Sequence, residues 1–203
     1  MFTKNRRSNI VVILIYVDDM LVTGNNLQMI EDIKRQLHQS FKIKDLEELR
    51  YFLGIEFSRS HKGILMNQRK YALELISDLG LSAGKPSWTP LDSNQKFTTR
   101  QLDALTGLQA DEPLVDREKY QRLIGKLLYL TLTRLDIAFS VQTLSQFLQE
   151  PKQSHWEATL RIVRYVMMDP GIGVLMSSKR ENKLTAFCDA DWASCPNTRR
   201  SVT

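Results

Sequence analysis

An α+β fold, with antiparallel hairpins first and a run of helices after, is predicted by three features of the 203-residue chain. The aliphatic run Ile10-Val11-Val12-Ile13-Leu14-Ile15 leads through Tyr16-Val17-Asp18-Asp19 into a second short stretch, Met20-Leu21-Val22-Thr23, which Gly24 ends. A second set of sheet segments spans 49–57 and 64–66, joined by the turn Ser60-His61-Lys62-Gly63. Two apolar runs around a short polar turn are a hairpin signal. Apolar residues at three- and four-residue steps then dominate the C-terminal half, and that is the period of amphipathic helices.

Each element has its own local reason. The Val- and Ile-rich run at 10–15 reads as a strand buried on both faces. Leu27, Ile30, Ile33, Leu37 and Phe41 form one apolar stripe on a helix. A helix from Gln68 to Leu79 stops at Gly80, a residue suited to a C-terminal cap. Residues 82–116 lose periodicity and gather Pro86, Pro90, Pro113, Gly84 and Gly107, so a linker and domain boundary are expected there. Helical patterns follow at 117–132, 135–149 and 155–168. In the last, Ser154-His155-Trp156-Glu157 has the spacing of a capping box. Pro170-Gly171 ends the helices, and Val174–Met176 and Leu184–Cys188 read as strands. No internal repeat or low-complexity tract occurs.

Composition narrows the function classes. With 42% hydrophobic and 25% charged residues the chain reads as globular. No apolar stretch is long enough to cross a bilayer, so no membrane partner is expected. The basic start, Lys4 to Arg7, lacks the small-residue cleavage site of a signal peptide. Cys188 and Cys195 lack the spacing of a zinc site and suit a reduced intracellular compartment, which the sequence does not specify further. The net charge of +5 is concentrated in residues 117–183, with 11 Lys/Arg against 6 Asp/Glu, a bias compatible with a polyanionic partner.

Chemistry concentrates at the first hairpin tip. Two ionised carboxylates, Asp18 and Asp19, are costly to bury unless a cation or an open turn receives them. Magnesium takes hard oxygen ligands, commonly one or two carboxylates plus phosphates. Asp-Asp between strands is also ordinary turn chemistry, and these residues alone leave both readings open.

An ordered series of motifs carries a resemblance. Tyr-Val-Asp-Asp at 16–19 is followed by Ile-Lys-Asp-Leu at 43–46, Tyr-Phe-Leu-Gly-Ile-Glu-Phe at 51–57, Asn-Gln-Arg-Lys-Tyr at 67–71 and Thr-Pro-Leu at 89–91. Tyr-Gln-Arg-Leu-Ile-Gly-Lys-Leu-Leu-Tyr-Leu-Thr at 120–131 and Asp-Ile-Ala-Phe-Ser-Val at 136–141 come next. Cys-Asp-Ala-Asp-Trp-Ala at 188–193 and Thr-Arg-Arg-Ser at 198–201 close the series. The chain resembles the reverse transcriptase region of copia-type retrotransposon polyproteins.

The resemblance implies a partial right-hand polymerase palm over 1–81, a linker at 82–116, a helical thumb at 117–170, and a connection with the first strands of an RNase H-like domain at 171–203. It implies RNA-directed DNA polymerase chemistry on primer–template and deoxynucleoside triphosphates, with two Mg²⁺ (or Mn²⁺) ions in the intact enzyme. Asp18 would be the main ligand, Asp19 its assistant, and Asp189 a metal ligand of the RNase H segment. Phe52, Leu53 and Gly54 resemble a primer grip. Gln121, Gly125 and Tyr129, four residues apart on one helix face, resemble a track along the minor groove, with Arg122 and Lys126 placed to meet phosphates. Strand packing for Phe52–Gly54 and helix packing for the Gln-Gly-Tyr series are the plain alternatives. Leu123, Ile124, Leu127, Leu128 and Leu130 are expected in the core either way.

Asp191, Asn197 and Arg199 also follow the family pattern, whereas His38, His61 and His155 match no catalytic position and are expected at the surface or in caps. Glu47 stands where that pattern has Gly, Leu135 where it has Pro, and Met167 where it has Lys. No Asp or Glu precedes Asp18. The expectation is therefore that the third carboxylate, the fingers and most of RNase H belong to the remainder of the polyprotein, and that this chain alone has little or no polymerase activity. A noncatalytic nucleic-acid-binding module and a nonfunctional transposon relic are the alternatives.

Overall fold

The computed structural model describes residues 1–92, 94–107, 111–179, 183, 185–187 and 195–197. It divides into two compact units, Met1–Leu53 and Gly54–Thr203. The units part at Leu53, whereas the sequence places the boundary in the aperiodic 82–116 stretch.

In the first unit, strands β1 (Phe2–Arg6), β2 (Asn9–Tyr16) and β3 (Asp19–Gly24) form an antiparallel sheet in that order. Helix α1 (Leu27–Ser40) follows, its N-terminus capped by the Asn26 side chain, which accepts from the Met29 amide at 3.0 Å. The hairpin and the helix match the sequence pattern; strand β1, polar after Phe2, escapes it. The burial of β2 differs from expectation. Only Val11 is fully enclosed, while Ile10 and Ile15 remain 39% and 45% exposed. Apolar character alone set the two-sided expectation, but burial also needs a second layer on each face. Leu27 and Phe41, the ends of the α1 stripe, are exposed for the same reason. Glu47 has φ of 65°, a left-handed conformation that glycine adopts at less cost, and its amide is held by the Asp45 carboxylate at 2.8 Å.

The predicted strand at 49–57 is interrupted. Tyr51–Phe52 forms the short strand β4, then Leu53 and Gly54 turn the chain with φ of 50° and 77°. In the second unit, β5 (Ile55–Ser60), β6 (Gly63–Asn67) and β7 (Gly173–Ser177) pair antiparallel in that order. Helix α2 (Arg69–Asp78) ends at Gly80, whose φ of 67° gives the expected left-handed cap.

The 82–116 segment is tied down inside the second unit. It contains α3 (Arg100–Thr106), capped by the Thr99 hydroxyl, which accepts from the Leu102 amide at 3.3 Å. The Ser87 amide donates to the Arg164 carbonyl at 3.1 Å, and the Leu114 amide to the Pro151 carbonyl at 2.9 Å. Asp103 and Lys152 form a buried ion pair at 2.7 Å, and Thr98 bonds to both. Burial alone would raise the Asp103 carboxyl, but the bonds from Lys152 and Thr98 outweigh it and hold its pKa below the usual range.

Helices α4 (Arg117–Leu130), α5 (Ala138–Ser145) and α6 (Gln153–Val166) pack with α2 around one core. The core takes Leu75 and Ile76 from α2, Tyr120, Leu123, Ile124, Leu127 and Leu130 from α4, Val141 and Leu144 from α5, and Ile162, Val163 and Val166 from α6. Leu128 is the exception among the expected core residues of α4, being 41% exposed on the outer face. A 3₁₀ turn at Leu135–Ile137 opens the α5 region, so the helix there is shorter than its pattern. Leu135 is the first residue of that turn, a position where proline also fits. Of the predicted strand at 184–188, residues 185–187 have no regular structure, and the ends lie outside the described residues.

Lys152, rather than Ser154, is the N-cap of α6, with His155 at the N3 position accepting from the Lys152 amide at 3.1 Å. His155 thus takes the capping role, one of the two places expected for it, but it is fully buried and stacks on Phe147 with ring centroids 4.0 Å apart. Burial, with the Lys152 charge, pushes its pKa down to about 4, against the pull of Asp111, Asp103 and the Thr98 backbone.

In the unfolded chain that imidazole takes up a proton near 6.5, so between 6.5 and about 4 the unfolded state binds more protons and stability rises with pH. Acidification across that interval is expected to cost about 3 kcal/mol through this one group. His155→Phe, which keeps a flat ring in the stack, should remove that part of the slope. Urea melts at stepped pH measure it, and an unchanged slope contradicts the assignment.

Candidate functional site

Two places in the structure bear on function, one in each compact unit. In the first, the β2–β3 ladder closes with Tyr16 opposite Asp19, leaving Val17 and Asp18 as a two-residue turn. Such a turn needs positive φ at one or both central positions, and Val17 supplies it with φ of 49°. A β-branched residue is strained there by about 1–3 kcal/mol. The strain is accepted at the residue immediately before Asp18. Both Asp18 and Asp19 are exposed.

Two neighbouring, solvent-facing carboxylates fit part of a hard-cation shell, in which water and phosphate supply the other oxygens. Among the described residues, no group of three or more His, Cys, Asp or Glu side chains is assembled to hold a metal. Asp189, Asp191 and Arg199 lie outside the described residues. Asn197 serves the fold, since its side chain accepts from the Thr99 amide at 2.9 Å and donates to the Phe97 carbonyl at 3.1 Å.

The second place is the outer face of α4. With five residues of this helix committed to the core, its amphipathic pattern leaves Gln121, Gly125 and Tyr129 on the other side, Gly125 fully on the surface. A Cβ built on Gly125 would have no heavy atom within 4 Å. The glycine therefore meets no packing demand, and the face is open at that point. Tyr129 is half-buried, and its ring lies 3.5 Å from where a Cβ on Gly54 would stand. The structure thus brings together Gly54 and Tyr129. Phe52, in β4, is buried, and Leu53, in the turn that follows, is half-buried.

Several of these side chains are already engaged. The Gln121 amide donates to the Leu148 carbonyl at 2.9 Å. Arg122 pairs with Glu118 at 3.5 Å, and Lys126 with Asp78 at 2.8 Å. These pairs are exposed and weak, so a phosphate could compete for either cation. Tyr71, on α2, meets the Tyr129 ring edge-on at 5.3 Å and donates its hydroxyl to the Lys126 carbonyl at 3.2 Å. Burial and the neighbouring Tyr129 raise the Tyr71 pKa, so the phenol stays neutral and able to donate. Asp78 and the tyrosine pair escaped sequence reasoning: the seven-residue spacing of Tyr71 and Asp78 puts both on one side of α2 but does not say which helix that side meets.

The family described as "Reverse transcriptase (RNA-dependent DNA polymerase)" matches residues 1–93. The chain is 37% identical over 193 residues to the "Retrovirus-related Pol polyprotein from transposon RE1" of Arabidopsis thaliana, covering 95% of this chain and 13% of that one. It is 30% identical over 205 residues to the corresponding polyprotein of transposon TNT 1-94 of Nicotiana tabacum, covering 100% of this chain and 15% of that one. An uncharacterized mitochondrial protein of Arabidopsis thaliana is 34% identical over 193 residues, covering 94% of this chain and 75% of that one. The chain belongs to the copia-type reverse transcriptase family. No solved structure matches it. This reverse transcriptase region spans about one seventh of the transposon polyproteins it matches. Antiparallel sheets combined with helices agree with such a region.

Because Gly125 sits in the interior of an exposed helix face with free space around it, Gly125→Ala should raise the unfolding free energy by about 1 kcal/mol. Thermal or urea melts check this. A loss of stability would mean that packing, rather than an outside demand, keeps the glycine.

Proposed function

We propose that the chain is the primer–template-gripping part of a copia-type RNA-directed DNA polymerase, with Asp18 and Asp19 as two of its metal-binding carboxylates. In this reading residues 1–81 belong to the palm and 117–170 to the thumb, with RNase H beginning beyond residue 171. The observation that carries it is the open notch at Gly125 on α4, beside the Tyr129 ring and the Gly54 turn. A helix with no side chain at its centre can press its backbone against a shallow groove. A flat ring beside the notch meets sugars, and such contacts follow groove shape with little regard for base sequence. Arg122 and Lys126 exchange their carboxylate partners for phosphates, which makes binding salt-dependent through counterion release.

At the hairpin tip, Asp18 and Asp19 would hold Mg²⁺ or Mn²⁺, which supplies the positive charge that phosphoryl transfer requires. The chain's own contribution there is the Val17 turn, which keeps Asp18 at the exposed end of a rigid ladder. A noncatalytic nucleic-acid-binding module is the second reading, since the α4 face belongs to a different compact unit from the carboxylates.

An RNA–DNA hybrid is expected to bind the chain with an affinity that falls steeply with salt. Gly125→Leu, which fills the notch, should weaken binding by about tenfold or more. Fluorescence anisotropy on a labelled hybrid reads both, and an absence of binding at low salt overturns the reading. The chain by itself should extend oligo(dT) on poly(rA) with Mg²⁺ little or not at all. Robust extension that Asp18→Asn abolishes would show that the two carboxylates suffice.

A further inference from the structure

We propose that Tyr71 is a positioning residue for nucleic-acid binding: it braces α4 beside the Gly125 notch and sets the Tyr129 ring that borders it. This inference rests on the reading of the α4 face given above and names a residue that does not itself meet the nucleic acid.

The physical need comes from the glycine. A glycine in a helix interior weakens the helix relative to alanine, because it gives up more backbone freedom on folding, so a face that uses one as a notch gains from support outside its own helix. Tyr71 acts one residue further on, donating its hydroxyl to the Lys126 carbonyl at 3.2 Å. Its ring meets Tyr129 at an interplanar angle of 78°, an edge-to-face contact that restricts how the second ring can turn. Tyr129 in turn lies beside Gly54, its ring at van der Waals distance, 3.5 Å, from where a Cβ there would stand.

Helix α2 is itself anchored, since Ala72, Leu75 and Ile76 are buried in the core. Tyr71 is thus a rigid post rather than a surface side chain that follows its partner. Asp78, two turns along α2, pairs with the Lys126 side chain at 2.8 Å, an exposed contact that phosphate replaces on binding, so the Tyr71 hydroxyl on the Lys126 carbonyl is the hold that remains.

The test is a double-mutant cycle on the full chain, with a short fluorescein-labelled RNA–DNA hybrid as the probe. Tyr71→Leu should weaken binding about fivefold to tenfold in the otherwise unchanged chain, and by less than about twofold when Tyr129→Ala is also present. The dependence of affinity on salt should stay the same, because no phosphate contact is lost. Tyr71→Phe keeps the ring and removes the hydroxyl that holds the Lys126 carbonyl, so it should lose affinity by a smaller factor, and that loss should remain in the Tyr129→Ala background. If Tyr71→Leu fails to melt cooperatively, Tyr71→Phe decides: weakened binding supports the brace and wild-type affinity overturns it. Independent, additive effects of Tyr71→Leu and Tyr129→Ala overturn the proposal, as does wild-type affinity in both Tyr71 variants. If the unmodified chain does not bind the hybrid, or Tyr129→Ala binds normally, the reading of the α4 face has failed and this inference goes with it.

Discussion

Burial of one side of helix α4 governs what its other side can present. Tyr120, Leu123, Ile124, Leu127 and Leu130 are enclosed by α2, α5 and α6, and each would cost about 1.5–3 kcal/mol to expose. That commitment sets the rotation of the helix about its axis. With the rotation set, Gly125 must face outward and Tyr129 must lie beside the Gly54 turn. The Tyr120 hydroxyl donates to the Leu144 carbonyl at 2.7 Å, which fixes the same rotation by a polar contact.

A second set of constraints holds the loop-rich half of the second unit. The Asp103–Lys152 pair and the edge contact of His155 with Phe97 join residues that the sequence separates by about fifty positions or more. Buried pairs of this kind bring little net stability over apolar packing, but breaking one partner leaves a charge unpaired at a cost of about 3–5 kcal/mol. Their effect is selective: the 82–116 segment has one place to dock. Asn197 adds to this by closing on the backbone just before α3.

How much of this was legible in the sequence follows from the range of each interaction. The β2–β3 hairpin, α1, the Gly80 stop of α2, and α4 are specified by residues within a few positions, and all appear where the pattern places them. Helix α3 was missed because its stability comes from Asp103 meeting Lys152, a contact that no local window contains. The same contact places the cap of α6 at Lys152 rather than at the locally attractive Ser154. The exposure of Ile10 and Ile15 shows the converse limit, since an apolar run states an affinity for burial without saying what will cover it. For the candidate site, the spacing of Gln121, Gly125 and Tyr129 could be read directly. Their support from Tyr71 could not, because it joins helices that lie far apart in the chain.

The central claim is that the outer face of α4 is kept open for nucleic acid. It is tested most directly at Gly125 itself, by following the backbone amide signals of the isotopically labelled chain during titration with an RNA–DNA hybrid. The account predicts that the largest changes fall on Gly125 and its neighbours on α4, joined by Gly54, and that they saturate together. Changes confined to other surfaces, with the Gly125 signal unmoved at saturation, would contradict it.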